Sequence, residues 1–157
     1  MKWSKLKKNV EDRFAKSVRG KVHIYTTRYN VSKGNECMCG RSWVTVNGVQ
    51  IANFETIPNL ERRRLSNTYG HLTIEDGART PGMLCEKGEF ARVHLLVACN
   101  EILQSSIDSA LKSDNPLVRS LAFLDARAGK GRLLSYRAAE SHPLARALLE
   151  LRFANIV

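Results

Sequence analysis

The stretch from Ser42 to Phe54, SWVTVNGVQIANF, constrains the fold more than any other part of the chain. Two β-rich runs flank Asn47-Gly48, a dipeptide that tolerates the positive φ angles of a type I′ turn, so a two-residue hairpin is predicted. Such a turn sets the register. Val46 is expected opposite Val49 and Val44 opposite Ile51 on the core face, with Trp43, Thr45, Gln50 and Ala52 on the other. Upstream, Lys21 to Arg28 (KVHIYTTR) alternates Val22, Ile24 and Thr26 against His23 and Tyr25, which predicts a third strand with one face inward.

Helical patterns surround these strands. Trp3, Leu6, Val10 and Phe14 recur at three-and-four spacing, predicting an amphipathic helix from Trp3 to Val18 that ends at Arg19-Gly20 and covers the sheet. Beyond Pro58, NLERRRLSNTY is expected to form a short helix with Leu60 and Leu65 inward. Residues 70–89, punctuated by Gly70, Gly77, Pro81, Gly82 and Gly88, are expected to form a long loop. Val93, Leu96, Val97, Ile102, Leu103, Ile107 and Leu111 then keep a helical period from Phe90 to Leu111, which predicts one main core helix.

An internal repeat follows. Asn115-Pro116 to Asp125 (NPLVRSLAFLD) aligns with His142-Pro143 to Arg152 (HPLARALLELR) at an offset of 27. Proline suits a first helical turn and Asn115 is a good N-cap, so each copy should start a helix, and Gly129 should end the first. The expected fold class is α+β: an N-terminal helix on a small antiparallel sheet, then a mainly helical C-terminal half with HEAT-like helix pairs. A chain of 157 residues falls in the size range of one domain. That domain is read as 1–57 (helix and three-stranded sheet), 58–89 (short helix and long loop) and 90–157 (helical half).

The charge is uneven. The formal net charge is +10, and residues 1–33 hold ten Lys and Arg against Glu11 and Asp12 alone. Such an excess favours polyanions, because each phosphate neutralised by Lys or Arg releases a condensed counterion. The competing role of such a face is solubility. Lys5, Lys8, Lys16, Arg19 and Lys21 are the candidate nucleic-acid-binding residues of this end, and Arg62, Arg63 and Arg64 form a second basic spot.

No apolar run approaches the roughly 20 residues needed to cross a bilayer, and MKWSKLKKNVEDRF lacks the apolar core of a signal peptide. A cytoplasmic protein with no membrane partner is therefore expected, with Cys37, Cys39, Cys85 and Cys99 as reduced thiols and Cys99 in the core. Cys37, Cys39 and Cys85, even with His71 added, do not follow the C-x₂₋₄-C pairing of structural zinc sites. Neither a metal nor a cofactor is expected.

Several motifs in order also resemble a bacterial protein family with no established activity. Its members open with W-S-K-L-K-K, matched by Trp3 to Lys8, and continue through T-R-Y, matched by Thr27 to Tyr29. A G-R-x-W-[IV]-T hairpin corresponds to Gly40 to Thr45, and an N-P-L-[IV]-R-x-L-A-x-[LF]-D-x-R-x-G-K segment to Asn115 to Lys130. The resemblance is weakest from about residue 56 to 89, and it implies no catalytic residue. It does include Asp125, Arg127 and Lys130, which form a separate candidate polar site; their structural alternative is ion pairing and placement of Lys130 at a helix C-terminus.

The leading expectation is a nonenzymatic binding or regulatory protein that contacts nucleic acid or a nucleoprotein complex through its basic N-terminal surface. One alternative is a protein-binding adaptor or inhibitor acting through the helical half. The other is a small metal-dependent nuclease, with His71, Glu75 and Asp76 around the metal and base and Arg62 to Arg64 on phosphate.

Overall fold

The computed structural model describes residues 1–29, 39–69 and 79–154, apart from the side chains of 64–69. Within these residues the elements are α1 (Trp3–Glu11), β1 (Val22–Arg28), β2 (Gly40–Val46), β3 (Val49–Glu55), α2 (Thr56–Tyr69), α3 (Arg92–Gln104), α4 (Ile107–Leu111), α5 (Pro116–Leu124), α6 (Lys130–Arg137) and α7 (Pro143–Ala154). A helix, a three-stranded antiparallel sheet and a mostly helical second half follow one another, as the patterning predicts. Two compact units emerge: a helical unit of residues 1–23 and 96–157, and a strand unit of residues 24–95. The first helix thus shares a unit with the C-terminal helices, although the whole sheet lies between them in sequence.

In the strand unit the sheet order is β1-β2-β3. Asn47 and Gly48 have φ values of 50° and 79°, the left-handed pair of a type I′ turn. Val46 pairs with Val49 and Thr45 with Gln50, but Val44 pairs with Ala52, so a β-bulge at Ile51 takes up one residue. That extra residue reverses the inward phase of β3. Ala52 and Phe54 are fully buried, Val49 is exposed and Ile51 is half-buried, which corrects the expected core set for this strand. Phe54 meets Phe90 edge-on, with ring centroids 5.6 Å apart. The buried Ser42 donates its one hydroxyl hydrogen to the Arg92 carbonyl at 3.0 Å, and its Oγ lies 3.0 Å from the Thr26 hydroxyl, from which it can accept.

Helix α2 begins at Thr56, two residues ahead of Pro58. Its inward polar anchor is Asn59, whose Nδ2 donates to the Gly88 carbonyl at 2.8 Å. Leu60 is exposed, contrary to expectation, because Asn59 takes the buried position. The Leu65 side chain lies outside the described residues.

In the helical unit α1 buries Leu6 and Val10 but stops at Glu11 rather than running to Val18. Phe14 is buried as a strand-like residue bridged to Asp125. The Ala15 amide donates to the Leu124 carbonyl at 2.8 Å and the Ala126 amide to the Arg13 carbonyl at 2.7 Å. This tertiary bridge outcompetes further helix, whose local preference is weak.

The expected helix over Phe90 to Leu111 is broken into α3 and α4. Ser105 Oγ turns back to the Glu101 carbonyl at 2.7 Å, and Ser106 Oγ caps α4 by accepting from the Ser109 amide at 3.2 Å. Serine hydroxyls compete with helical backbone bonds and favour caps. The buried face of α3 carries Leu95, Ala98, Cys99 and Ile102, while Val93 and Val97 are exposed.

The repeat holds at the level of geometry. Asn115 Oδ1 accepts from the Leu117 amide at 2.9 Å, and His142 Nδ1 accepts from the Leu144 amide at 3.3 Å, two residues on in both copies. Leu117, Val118, Leu121 and Ala122 are buried, as are their equivalents Leu144, Ala145, Leu148 and Leu149. Between the copies, Arg119 Nε and Nη2 hold the buried Glu140 carboxylate at 2.7 and 3.0 Å. The His142 amide donates to the same carboxylate at 3.0 Å.

Gly48→Val should destabilise the protein by about 1–2 kcal/mol, because a β-branched residue is strained at left-handed φ; a thermal melt measures it. Burial opposes the Glu140 charge, but the Arg119 hydrogen bonds and the His142 amide outweigh it and hold the pKa below the ordinary carboxylate value. The pair therefore stabilises fully above the unfolded carboxylate pKa and is lost as pH falls through the depressed folded value. Chemical denaturation between pH 3 and 7 should show this acid-side loss diminished in Glu140→Gln, which starts less stable at neutral pH.

Candidate functional site

Most of the basic excess resides in the helical unit, which holds sixteen Lys and Arg against eight Asp and Glu, eight of the ten net charges. Six of its acids already face cations. Lys7 and Lys8 pair with Glu11 and Asp12 one helical turn on, Arg119 with Glu140, Arg127 with Asp125, Arg132 with Asp108 and Arg137 with Glu150. The exposed pairs contribute little energy, yet they cancel charge locally. Outside these pairs the surface is mainly cationic: Lys2, Lys5, Lys16, Lys112, Lys130 and Arg146 are exposed, against the exposed acids Glu101 and Asp114.

The predicted residues fare differently within this set. Lys5, Lys8 and Lys16 are exposed, with Lys8 the one paired to Asp12. Arg19 is also exposed, and it is positioned rather than loose. Its Nη2 reaches the Asp12 and Phe14 carbonyls at 2.5 and 3.0 Å, so its charge stays uncancelled beside the end of α1. Lys21 is half-buried.

Of the candidate polar residues, Asp125 is buried while Arg127 and Lys130 reach the surface. Asp125 is 1% exposed. Its carboxylate takes Arg127 Nε at 3.1 Å, Nη2 at 2.7 Å and the Arg127 amide at 2.9 Å. Arg127 continues to the Ser105 and Ile102 carbonyls at 3.1 and 3.4 Å, and Arg13 reaches the Ile102 and Leu103 carbonyls at 3.2 and 3.3 Å. Two guanidinium groups thus cap the C-terminal end of α3, where carbonyls lack helical partners. From the other side the buried Arg152 donates to the Phe123, Asp125 and Ala128 carbonyls at 2.7, 3.1 and 2.9 Å. Asp125 and Arg127 therefore hold backbone in place. Lys130, expected at a helix C-terminus, instead opens α6 behind Gly129 and is exposed.

In the strand unit Arg62 pairs with Glu86 at 2.7 Å, Arg63 is exposed, and the Arg64 side chain lies outside the described residues. His71, Glu75 and Asp76, the candidates for a nuclease centre, also lie outside them, as does Cys37. Cys85 and Cys99 are free and buried. Burial pushes the Cys99 thiol up to about 12, with Glu11 adding to the effect, and raises Cys85 further, reinforced by Glu89. Both are protonated at neutral pH and poor nucleophiles. Cys39 is disulfide-bonded, which corrects the expectation of reduced thiols at that position.

Two features of the strand unit are not legible in the sequence. Tyr25 stacks on Trp43 with centroids 5.1 Å apart, and Arg41 lies 4.0 Å over the Trp43 ring while donating to Asn53 at 2.9 Å. Strand alternation placed Tyr25 and Trp43 on like faces but not in contact. The other is Arg92, a buried guanidinium at the start of α3 with two nitrogens that have no partner among the described residues. No local motif marks it.

Neither the curated proteins nor the solved structures include a match to this chain. Residues 2–153 do match one family along nearly the whole chain, and the protein belongs to the SF0329 protein family.

Proposed function

We propose that this protein is a nonenzymatic nucleic-acid-binding or nucleoprotein-binding factor that works through the cationic surface of its helical unit. The observation that carries the reading is the charge left after pairing. Exposed Lys5 and Lys16 and the carbonyl-anchored Arg19 stand on or just beyond α1, while Glu11 and Asp12 are already engaged. A helix fixed by buried Leu6 and Val10 presents these charges as a surface rather than a tail. A surface built from lysines suits phosphate, which it contacts without reading bases, so low sequence preference is expected.

The protein-adaptor reading stands second. It is favoured by Leu134, which is exposed on α6 within the repeat region and has no evident role in the core.

Replacing Lys5, Lys8 and Lys16 with Glu tests the first reading. The three positions are exposed, so the fold should survive, with a small loss because Lys8→Glu sets two acids one turn apart on α1, facing Asp12. Fluorescence anisotropy with duplex DNA and with RNA should show parent affinity falling by roughly 0.9 log units per phosphate contact for each tenfold rise in salt on duplex. The triple variant should not bind. A parent that binds neither polymer, or binds without salt dependence, rejects the reading and leaves the adaptor in first place.

A further inference from the structure

The first turn of α3 holds a positive charge with no hydrogen-bonded counterpart among the described residues. Arg92 is 7% exposed, and its Nε and Nη1 are closed off from solvent with no hydrogen-bond partner among the described residues. Folded proteins satisfy roughly nine in ten buried polar atoms or more, and an orphaned charged donor is the costliest exception. Such a group calls for a partner other than the described residues.

The surroundings specify the sign of that partner. The Arg92 side chain runs against the start of β2, where a Cβ on Gly40 would lie 2.8 Å from Arg92 Cδ, 3.0 Å from Arg28 Cα and 2.1 Å from the Thr27 carbonyl. Only glycine admits this approach. Burial, and then the neighbouring Arg28 charge, lower the Arg92 pKa; burial, and then Arg63, lower that of His94 in the same turn. The exposed Arg28 and Arg63 therefore raise the positive potential around the turn. The turn itself adds to it, because Arg92 opens a 13-residue helix whose first amides carry partial positive charge. Ser42 Oγ, donating to the Arg92 carbonyl at 3.0 Å, fixes the turn to the sheet.

We infer that the strand unit binds an oxyanion, a phosphate group in the first instance, between Arg92 and Arg28 at the N-terminal end of α3. Nη2, which is not among the closed-off atoms, is adjacent to both Nε and Nη1, and a phosphate that meets Nη2 with either of them has the two-point fit of a guanidinium edge. The inference goes beyond the nucleic-acid reading, since the site lies in the other unit and needs no polymer. Its phosphate can come from a small phosphorylated molecule or from a phosphodiester backbone.

Inorganic phosphate is the probe, with chloride at matched ionic strength as the reference. At about 100 times its Kd, phosphate should raise the parent melting temperature by roughly 5–10 °C over chloride. Arg92→Met removes the unpaired charge and keeps the stem, so it should melt at or above the parent temperature in chloride and gain nothing from phosphate. Arg28→Ala changes an exposed residue and should weaken phosphate binding several-fold in equilibrium dialysis; it carries the test if Arg92→Met does not fold. A parent with no phosphate gain overturns the inference, as does an Arg92→Met variant that keeps the full gain or an Arg28→Ala variant with unchanged affinity.

Given that gain, a single-stranded oligonucleotide separates the sources. Competition by phosphate, with weakened binding in Arg92→Met, assigns a backbone phosphate; no competition assigns a small phosphorylated ligand, and both support the site. The Lys5, Lys8 and Lys16 variant, measured in parallel, fails or succeeds independently of these results.

Discussion

The helical unit depends on one buried carboxylate. Asp125 closes α5, pairs with Phe14 in a β-bridge, orders its own turn through the Arg127 amide and fixes the Arg127 guanidinium. Arg127 and Arg13 then terminate α3, and Arg152 collects three carbonyls around the same turn. Chain segments more than a hundred residues apart are joined here by main-chain and charge-assisted bonds. A buried ion pair seldom adds much over an apolar replacement, but losing one partner leaves an uncompensated charge, typically at about 3–5 kcal/mol. The acid and its arginines are therefore interdependent parts of one joint.

That joint also explains how the two copies of the repeat differ. They share a cap, a proline and a buried face, and then diverge at the last aligned position, Asp125 in one and Arg152 in the other. Arg152 donates to the Asp125 carbonyl at 3.1 Å. This contact between the copies uses the Arg152 side chain and a main-chain carbonyl, so it depends on the arginine of the second copy. Burial lowers the Arg152 pKa while Asp125 raises it, consistent with an acid acting as its distant counter-charge.

Charge is used differently in the two units. In the helical unit, buried arginines satisfy carbonyls and exposed lysines lie at the surface beside acids that are largely paired. In the strand unit Arg41 directs its charge to Trp43 and two amide side chains, whereas Arg92 is buried without an acceptor for two of its nitrogens among the described residues. The first pattern fits contact with an extended polyanion. The second fits one compact anion held at a helix end.

What the sequence determined is what short-range chemistry controls. Asn47-Gly48 set a left-handed turn because the two adjacent residues carry its φ values themselves, and Asn115-Pro116 set a helix start for the same local reason. Period alone placed β1, the basic α1 and the helical second half. Tertiary structure decided the rest, wherever a distant group overrode the local one. The bulge at Ile51 reversed the inward face of β3, the bridge to Asp125 took Phe14 out of its helix, and Ser105 and Ser106 divided a continuous apolar period. Arg127 and Arg92 look alike in sequence. One found a carboxylate and two carbonyls and became structural, and the other was buried beside a glycine with two nitrogens unmet among the described residues, because pairing energy depends on distance and burial, which residue identity alone does not set.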